Sequence, residues 1–348
     1  MTELIPAPDS LGLPVPLEIL LALKVFGFFL HLIFMNLWLA GVPTALYLLR
    51  SKPAVAERLF HALPFFMAFG INAGIVPLLF LQTIYPQFFY PATILQAWFW
   101  FFVIPLLLVA YYAVYLASFE KLRVAAALTA TVLLSIIGLM FSSAMTLTAN
   151  PQEWPAIFMR STQGGATYGT YLFVNLEVVL RFLLVVGMAF GTLAAYLVLD
   201  AEYFTRDAND RNEARGLVLL YLYGAAVYGA AGLIYSASIM QKLPGYGFGA
   251  AGGTAMVGAL IAFAYWRGPT RAKGVALIAT QLLVLAANAI ARQRVQVSEI
   301  MKWYDPFKAP VRGEWGSLAL FVALFLAAIV ILTWIGLIVL RRTKDKPA

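Results

Sequence analysis

Nine stretches of this chain are apolar for long enough to cross about 30 Å of hydrocarbon as helices, and no other feature constrains the fold as strongly. They run roughly over residues 17–49, 57–83, 94–118, 122–147, 168–199, 216–237, 249–266, 271–292 and 315–340. A charged share of 11% and a mean hydropathy of +0.85 exclude a soluble globule, whose charged share runs near 25%. The expectation is an all-α polytopic membrane protein of about nine transmembrane helices. Short connections separate the runs, with no linker and no repeat, so residues 17–340 read as a single transmembrane domain. An N-terminal segment, 1–16, precedes it, and a basic tail, 341–348, follows. The N-terminal segment lacks the basic region and cleavage site of a signal peptide and reads as a retained, exposed stretch.

Basic residues are retained on the cytoplasmic side of a membrane. Of the 24 Lys and Arg residues, fifteen fall in one set of alternate connections and the tail, seven in the other set, and Lys24 and Arg181 inside helices. This predicts an external N-terminus, a cytoplasmic C-terminus and an inner-membrane location. The net charge of +8 is then a topology signal and does not point to nucleic acid. The last external connection concentrates Arg294, Lys302, Lys308 and Arg312, which suggests an anionic partner such as haem propionates or an acidic soluble protein.

Chemistry is narrowed by the absence of cysteine, which removes disulfides, thiolate metal sites, iron–sulfur clusters and covalent c-type haem. A haem here is non-covalent. Of the two histidines, His31 lies in the hydrophobic run FGFFLHLIFMNLWLAG (26–41), seven residues after Lys24 on the same helical face. It reads either as a haem-iron ligand or as a histidine hydrogen-bonded to a neighbouring helix. His61, three residues past Arg58, reads as an interfacial residue pairing with Glu57. Depth separates the two, so they cannot share one iron. Other polar groups gather in the outer half with His31. Glu177 and Arg181 are one turn apart, with Asn175 close by, and Glu177 is expected to be the one carboxylate buried well inside a membrane helix. Asn288 and Arg292 close the outer end of the eighth run, and Arg292 suits a carboxylate such as a propionate. Met256 is either packing or an axial thioether.

In sequence order, LHLIFMNLWLAG (30–41), FGINAGIVPLLFLQ (69–82), MVGAL (256–260) and ARQRVQVSEIM (291–301) resemble segments of subunit I of the cytochrome bd quinol oxidases. The resemblance implies His31 as the first-helix haem ligand, Met256 as the low-spin haem methionine, and Arg292, Gln293 and Glu299 as the shared part of a GRQPW-type motif. The family's low-spin haem histidine falls within FVNLEVV (173–179), where this chain offers Asn175 or Glu177. The family's third-helix glutamates have no counterpart in ILQAWFWFFVIPLL (94–107), which carries Gln96, and its long quinol loop shrinks to a dozen residues around Gln241 and Lys242. The reading is a bd-like membrane cytochrome subunit, a candidate quinol oxidoreductase component. It would bind haem b and move electrons between membrane quinol and an external redox partner such as a c-type cytochrome. The alternatives are a divergent quinol:oxygen oxidoreductase, or a haem-free scaffold or transporter-like subunit.

Overall fold

The computed structural model describes residues 4–163, 166–167, 171–205, 207–240 and 249–345. The connection around Gln241 and Lys242 lies outside them. Helix starts follow local chemistry. α1 (Leu17–Leu48) begins after Pro16, α2 (Pro53–Ile84) and α3 (Pro86–Gln96) begin on prolines, and α4 (Trp98–Ser118) and α5 (Arg123–Ala149) follow. Proline at the first helical position loses no hydrogen bond and already has the right φ. α6 (Trp154–Ser161) and a short hairpin of β1 (Thr162–Gln163) and β2 (Ala166–Thr167) lead to α7 (Leu176–Leu199). α8 (Ala208–Gly216), α9 (Leu220–Met240), α10 (Gly249–Arg267), α11 (Arg271–Ile300) and α12 (Trp315–Asp345) complete the chain. Asn175, Asp207 and Thr270 cap α7, α8 and α11, their side-chain oxygens accepting backbone N–H bonds of the first turn.

Among the described residues eight helical spans are long and apolar enough to cross a membrane: α1, α2, α4, α5, Leu176–Phe204, Ala208–Ser238, α10 and α11. The ninth expected helix forms as α12, whose described apolar stretch is Trp315–Ile331. The chain is therefore an all-α polytopic membrane protein. Its lipid side is legible on α4, where Trp98, Phe101, Ile104, Leu108 and Tyr112 are exposed, as expected where the surroundings are hydrocarbon rather than water.

Several boundaries differ from expectation. The run 94–118 is split by Ala97, whose φ of 40° ends α3, and the aromatic connection before it is helical. The helix expected from 168 starts at Leu176, because Asn175 is extended and spends its side chain on the cap. The run expected to stop at 292 continues to Ile300, so the whole ARQRVQVSE stretch is helical rather than a loop. The N-terminal segment is docked, not exposed, beyond Gly12. Leu13 and Val15 are buried, Leu13 pairs with Val311, and Arg312 N–H donates to the Leu13 carbonyl at 2.8 Å.

α1 is the central helix, packed along α2 and also against α5, α7 and α11. The alternation of connections is visible at both ends. At one end Arg58 of α2 pairs with Asp200 and Asp210 at 3.0 and 2.9 Å, and Arg123 approaches Glu57 at 3.8 Å. At the other, the N-terminal segment meets the 301–314 connection. These are called the Glu202 end and the Glu177 end below.

Candidate functional site

His31 faces α2 across two glycines. Gly70 and Gly74 lie one turn apart, and a Cβ on Gly74 would fall 2.7 Å from the His31 Nδ1. That absence of bulk lets the ring lie against α2, where Nδ1 is 2.7 Å from the Gly70 carbonyl. A carbonyl only accepts, so Nδ1 is the protonated nitrogen and donates. Nε2 keeps its lone pair and has no protein partner among the described residues. A backbone carbonyl holding one ring nitrogen is the arrangement that orients metal-ligating histidines, and it is also a complete structural explanation for a histidine joining two helices.

Arg292 acts on this ring, and two further cations, Lys24 and Arg181, lie within electrostatic range of Arg292. Lys24 is buried, donates to the Gln296 side-chain oxygen and lies 5.2 Å from the centre of the Tyr85 ring. Arg292 lies over Phe28 at 4.9 Å, within electrostatic range of Lys24, His31 and Arg181. Among the described residues its guanidinium makes no hydrogen bond or ion pair. Arg181 is satisfied, donating to Glu177 at 2.8 Å and to the Tyr235 hydroxyl at 3.1 Å. The Gln293 side chain lies beside the Tyr85 hydroxyl, and among the described residues neither group has another partner. A guanidinium without a carboxylate partner makes this an anion-tolerant region.

Other expected members stand apart. Met256 is 65% exposed on α10 and turned away from the bundle, so it is not brought to His31. Asn175 is exposed at the start of α7, where its carbonyl oxygen accepts from Val178 N–H. Glu177 is in the first turn of α7 rather than deep in the membrane. With Asn150, Asn175, Ser238 and Glu299 it lines a cavity of about 170 Å³ at the Glu177 end. Nor is Glu177 the one buried carboxylate: Asp200, Glu202 and Glu299, all at helix ends, are buried, each in an ion pair. His61 is exposed on α2, and Glu57 turns to Arg123 instead of to it.

The positive connection is also largely neutralised. Lys302, Lys308 and Arg312 pair with Glu299, Asp305 and Glu314 at 2.6, 3.4 and 3.2 Å, leaving Arg294 exposed and, among the described residues, without an ion pair. Beside them, burial and then the Asp305 carboxylate push the Tyr304 phenol up from its ordinary value.

Sequence reading missed the tyrosines. Tyr221, Tyr228 and Tyr235 recur every seven residues on α9, and Gln281 and Asn288 do so on α11. That spacing repeats one helix face and was readable in advance. Searched against protein-family models and curated proteins, the chain matches none.

The donor set can be tested against a haem. One imidazole with a fixed tautomer and a neighbouring unpaired arginine fit an axial bond and a propionate. The cavity at the Glu177 end does not include His31, and its volume is below the roughly 300–1,000 Å³ of cofactor pockets. Met256 does not supply a second axial ligand.

Proposed function

We propose that this chain is a membrane electron-transfer subunit in which His31 holds a non-covalent haem b through Nε2, with electrons passing between membrane quinol and an external redox partner such as a c-type cytochrome. The observation that carries the reading is the Gly70 carbonyl on the His31 Nδ1, which leaves a basic, oriented nitrogen in an apolar helix. When bound, the haem supplies a one-electron centre. The chain's own part is to hold the imidazole tautomer by Gly70, to leave it room by Gly74, and to offer Arg292 to a propionate. Resemblance to the bd subunit I segments supports the same assignment, without extending it to oxygen chemistry.

A second reading, a haem-free scaffold or transporter-like subunit, is favoured by the separation of the cavity from His31 and by the closed Glu177–Arg181 pair. A reduced-minus-oxidised spectrum of the purified membrane protein decides between them. The haem reading expects b-type absorbance that His31→Ala abolishes and His61→Ala retains, with both variants still inserted. A colourless wild-type protein establishes the second reading, and loss of absorbance in His61→Ala alone overturns the choice of ligand.

A further inference from the structure

A polar seam runs through the apolar contact of α7, α9 and α11, and it is open at one end only. It starts at the cavity lined by Glu177, Ser238 and Glu299. From there Glu177 binds Arg181, and Arg181 binds the Tyr235 hydroxyl. One heptad deeper the Tyr228 hydroxyl donates to Asn288 Oδ1 at 3.1 Å. Deeper still, Thr192 Oγ1 accepts from Gln281 Nε2 at 2.9 Å and from Asn36 Nδ2 at 3.1 Å. Successive levels are seven residues apart on α9 and on α11, or about 10 Å along the axis.

Among the described residues three atoms along this line lack partners although their side chains are 1% exposed or less: the Tyr221 hydroxyl, Asn288 Nδ2 and Asn36 Oδ1. A void of about 10 Å³ lies among Tyr221, Tyr228 and Gln281, near the roughly 10–15 Å³ at which a cavity holds one water. Its wall is mostly glycine, alanine and apolar side chains, but the orphaned Tyr221 hydroxyl borders it together with Tyr228 and Gln281, the few polar groups that one internal water needs. Toward the Glu202 end the character changes. Ala194, Val198, Ala262 and Leu277 are fully buried in one apolar cluster that also takes in the rings of Tyr221 and Tyr265, and among the described residues no hydrogen bond joins Gln281 or Tyr221 to the Glu202–Arg215–Tyr265 group.

We infer that this seam is a hydrated half-path, giving the mid-membrane Thr192–Gln281–Asn36 cluster water and proton exchange with the Glu177 face and not with the Glu202 face. Protons move along it through internal water and the Tyr235 and Tyr228 hydroxyls, each transfer breaking one O–H bond as another forms on the next oxygen, while Arg181 and the Asn and Gln amides keep their protons and only position these groups; the path consumes no oxidant or reductant. The inference does not rest on haem binding. It assigns the side of the membrane with which a reaction in this bundle trades protons.

The test places a carboxyl at the inner end of the path with Gln281→Glu and follows the protonated carbonyl stretch by infrared spectroscopy after transfer of the reconstituted full chain into D₂O. Adding Asn288→Leu, on the Glu177 side, should slow exchange of that carboxyl about tenfold or more, since a hydrogen-bonded step is lost. Adding Tyr265→Phe, on the Glu202 side, should leave the rate unchanged. Slowing by Tyr265→Phe, or no slowing by Asn288→Leu, overturns the half-path. Should Gln281→Glu not fold, a high-resolution map of the wild-type chain serves instead. Ordered water bonded to Gln281 and Tyr228 is expected, and a dry void refutes the proposal.

Discussion

At the scale of single residues, the decisive contact is between an imidazole and a glycine. A methyl group on Gly74 would enter the space of the His31 ring, 2.7 Å from Nδ1 and 2.8 Å from Cε1. The ring then has to rotate or the helices have to part, and either breaks the bond to the Gly70 carbonyl. On the proposed haem reading, Gly74→Ala should therefore lose or shift the absorbance assigned to His31-held haem while the protein stays inserted and helical by circular dichroism. An unchanged spectrum would show that the ring's position against α2 is irrelevant to binding. The importance of His31 is legible in the sequence because a lone histidine in an apolar run needs a partner. Its partner is not legible, since a backbone carbonyl on another helix leaves no mark in residue types. Met256 shows the opposite failure. A methionine in an apolar helix looks the same whether it faces the bundle or the lipid, and only the packing of α10 turns it outward.

At the scale of elements, glycines of α7 and α9 bring two helix backbones into close contact. A Cβ on Gly187 would lie 2.6 Å from the Tyr228 backbone nitrogen, and one on Gly224 would lie 2.5 Å from the Gly187 carbonyl oxygen. Backbone cannot move aside as a side chain can, so Gly187→Leu has to push the two helices apart. The expected cost is about 1–3 kcal/mol, read as a lower melting temperature in detergent with a spectrum of reduced tertiary packing. The small residues that permit this approach, Gly187 and Gly191 with Gly224, form a pattern known for membrane helix contacts, and it was available in the sequence. Helix ends were less legible. Hydropathy reports where a helix is apolar, not where it stops, so α11 runs on to Ile300 through polar residues, of which Gln296 and Glu299 are paired by Lys24 and Lys302. The first turn of α7 was overestimated for the converse reason: Asn175 ends an apolar stretch by capping, which hydropathy does not register. Removing that cap with Asn175→Ala should cost about 1 kcal/mol, small beside Gly187→Leu in the same melting assay.

At the scale of the whole molecule, the alternation of connections sets the orientation argument, and the spread of carboxylates sets the limit on chemistry. With the basic excess on the Glu202 end, a reporter fused after Ala348 should be active only in the cytoplasm; activity outside would reverse the assignment of the two faces. Oxygen reduction asks more of a bundle, because several electrons and protons have to reach one buried point. A carboxylate that cycles protons must be free to change charge. Asp200, Glu202 and Glu299 are each committed to a cation, at 3.0, 2.8 and 2.6 Å, and Glu177 is held by Arg181 at 2.8 Å. The third membrane run carries no acid at all. Its Gln96 donates to Ser143, which donates in turn to the Phe173 carbonyl, both at 2.6 Å, so that position is a fixed crosslink between helices and not a proton carrier. Electron transfer makes lighter demands, namely one oriented ligand near a face where a partner docks. Because Lys302, Lys308 and Arg312 are locally paired, docking there should depend only weakly on ionic strength. Purified protein given reduced quinol and no partner should consume negligible oxygen, measured with an oxygen electrode. Robust, cyanide-tolerant uptake would mean that one of the paired carboxylates opens during turnover, and it would restore the oxidase reading.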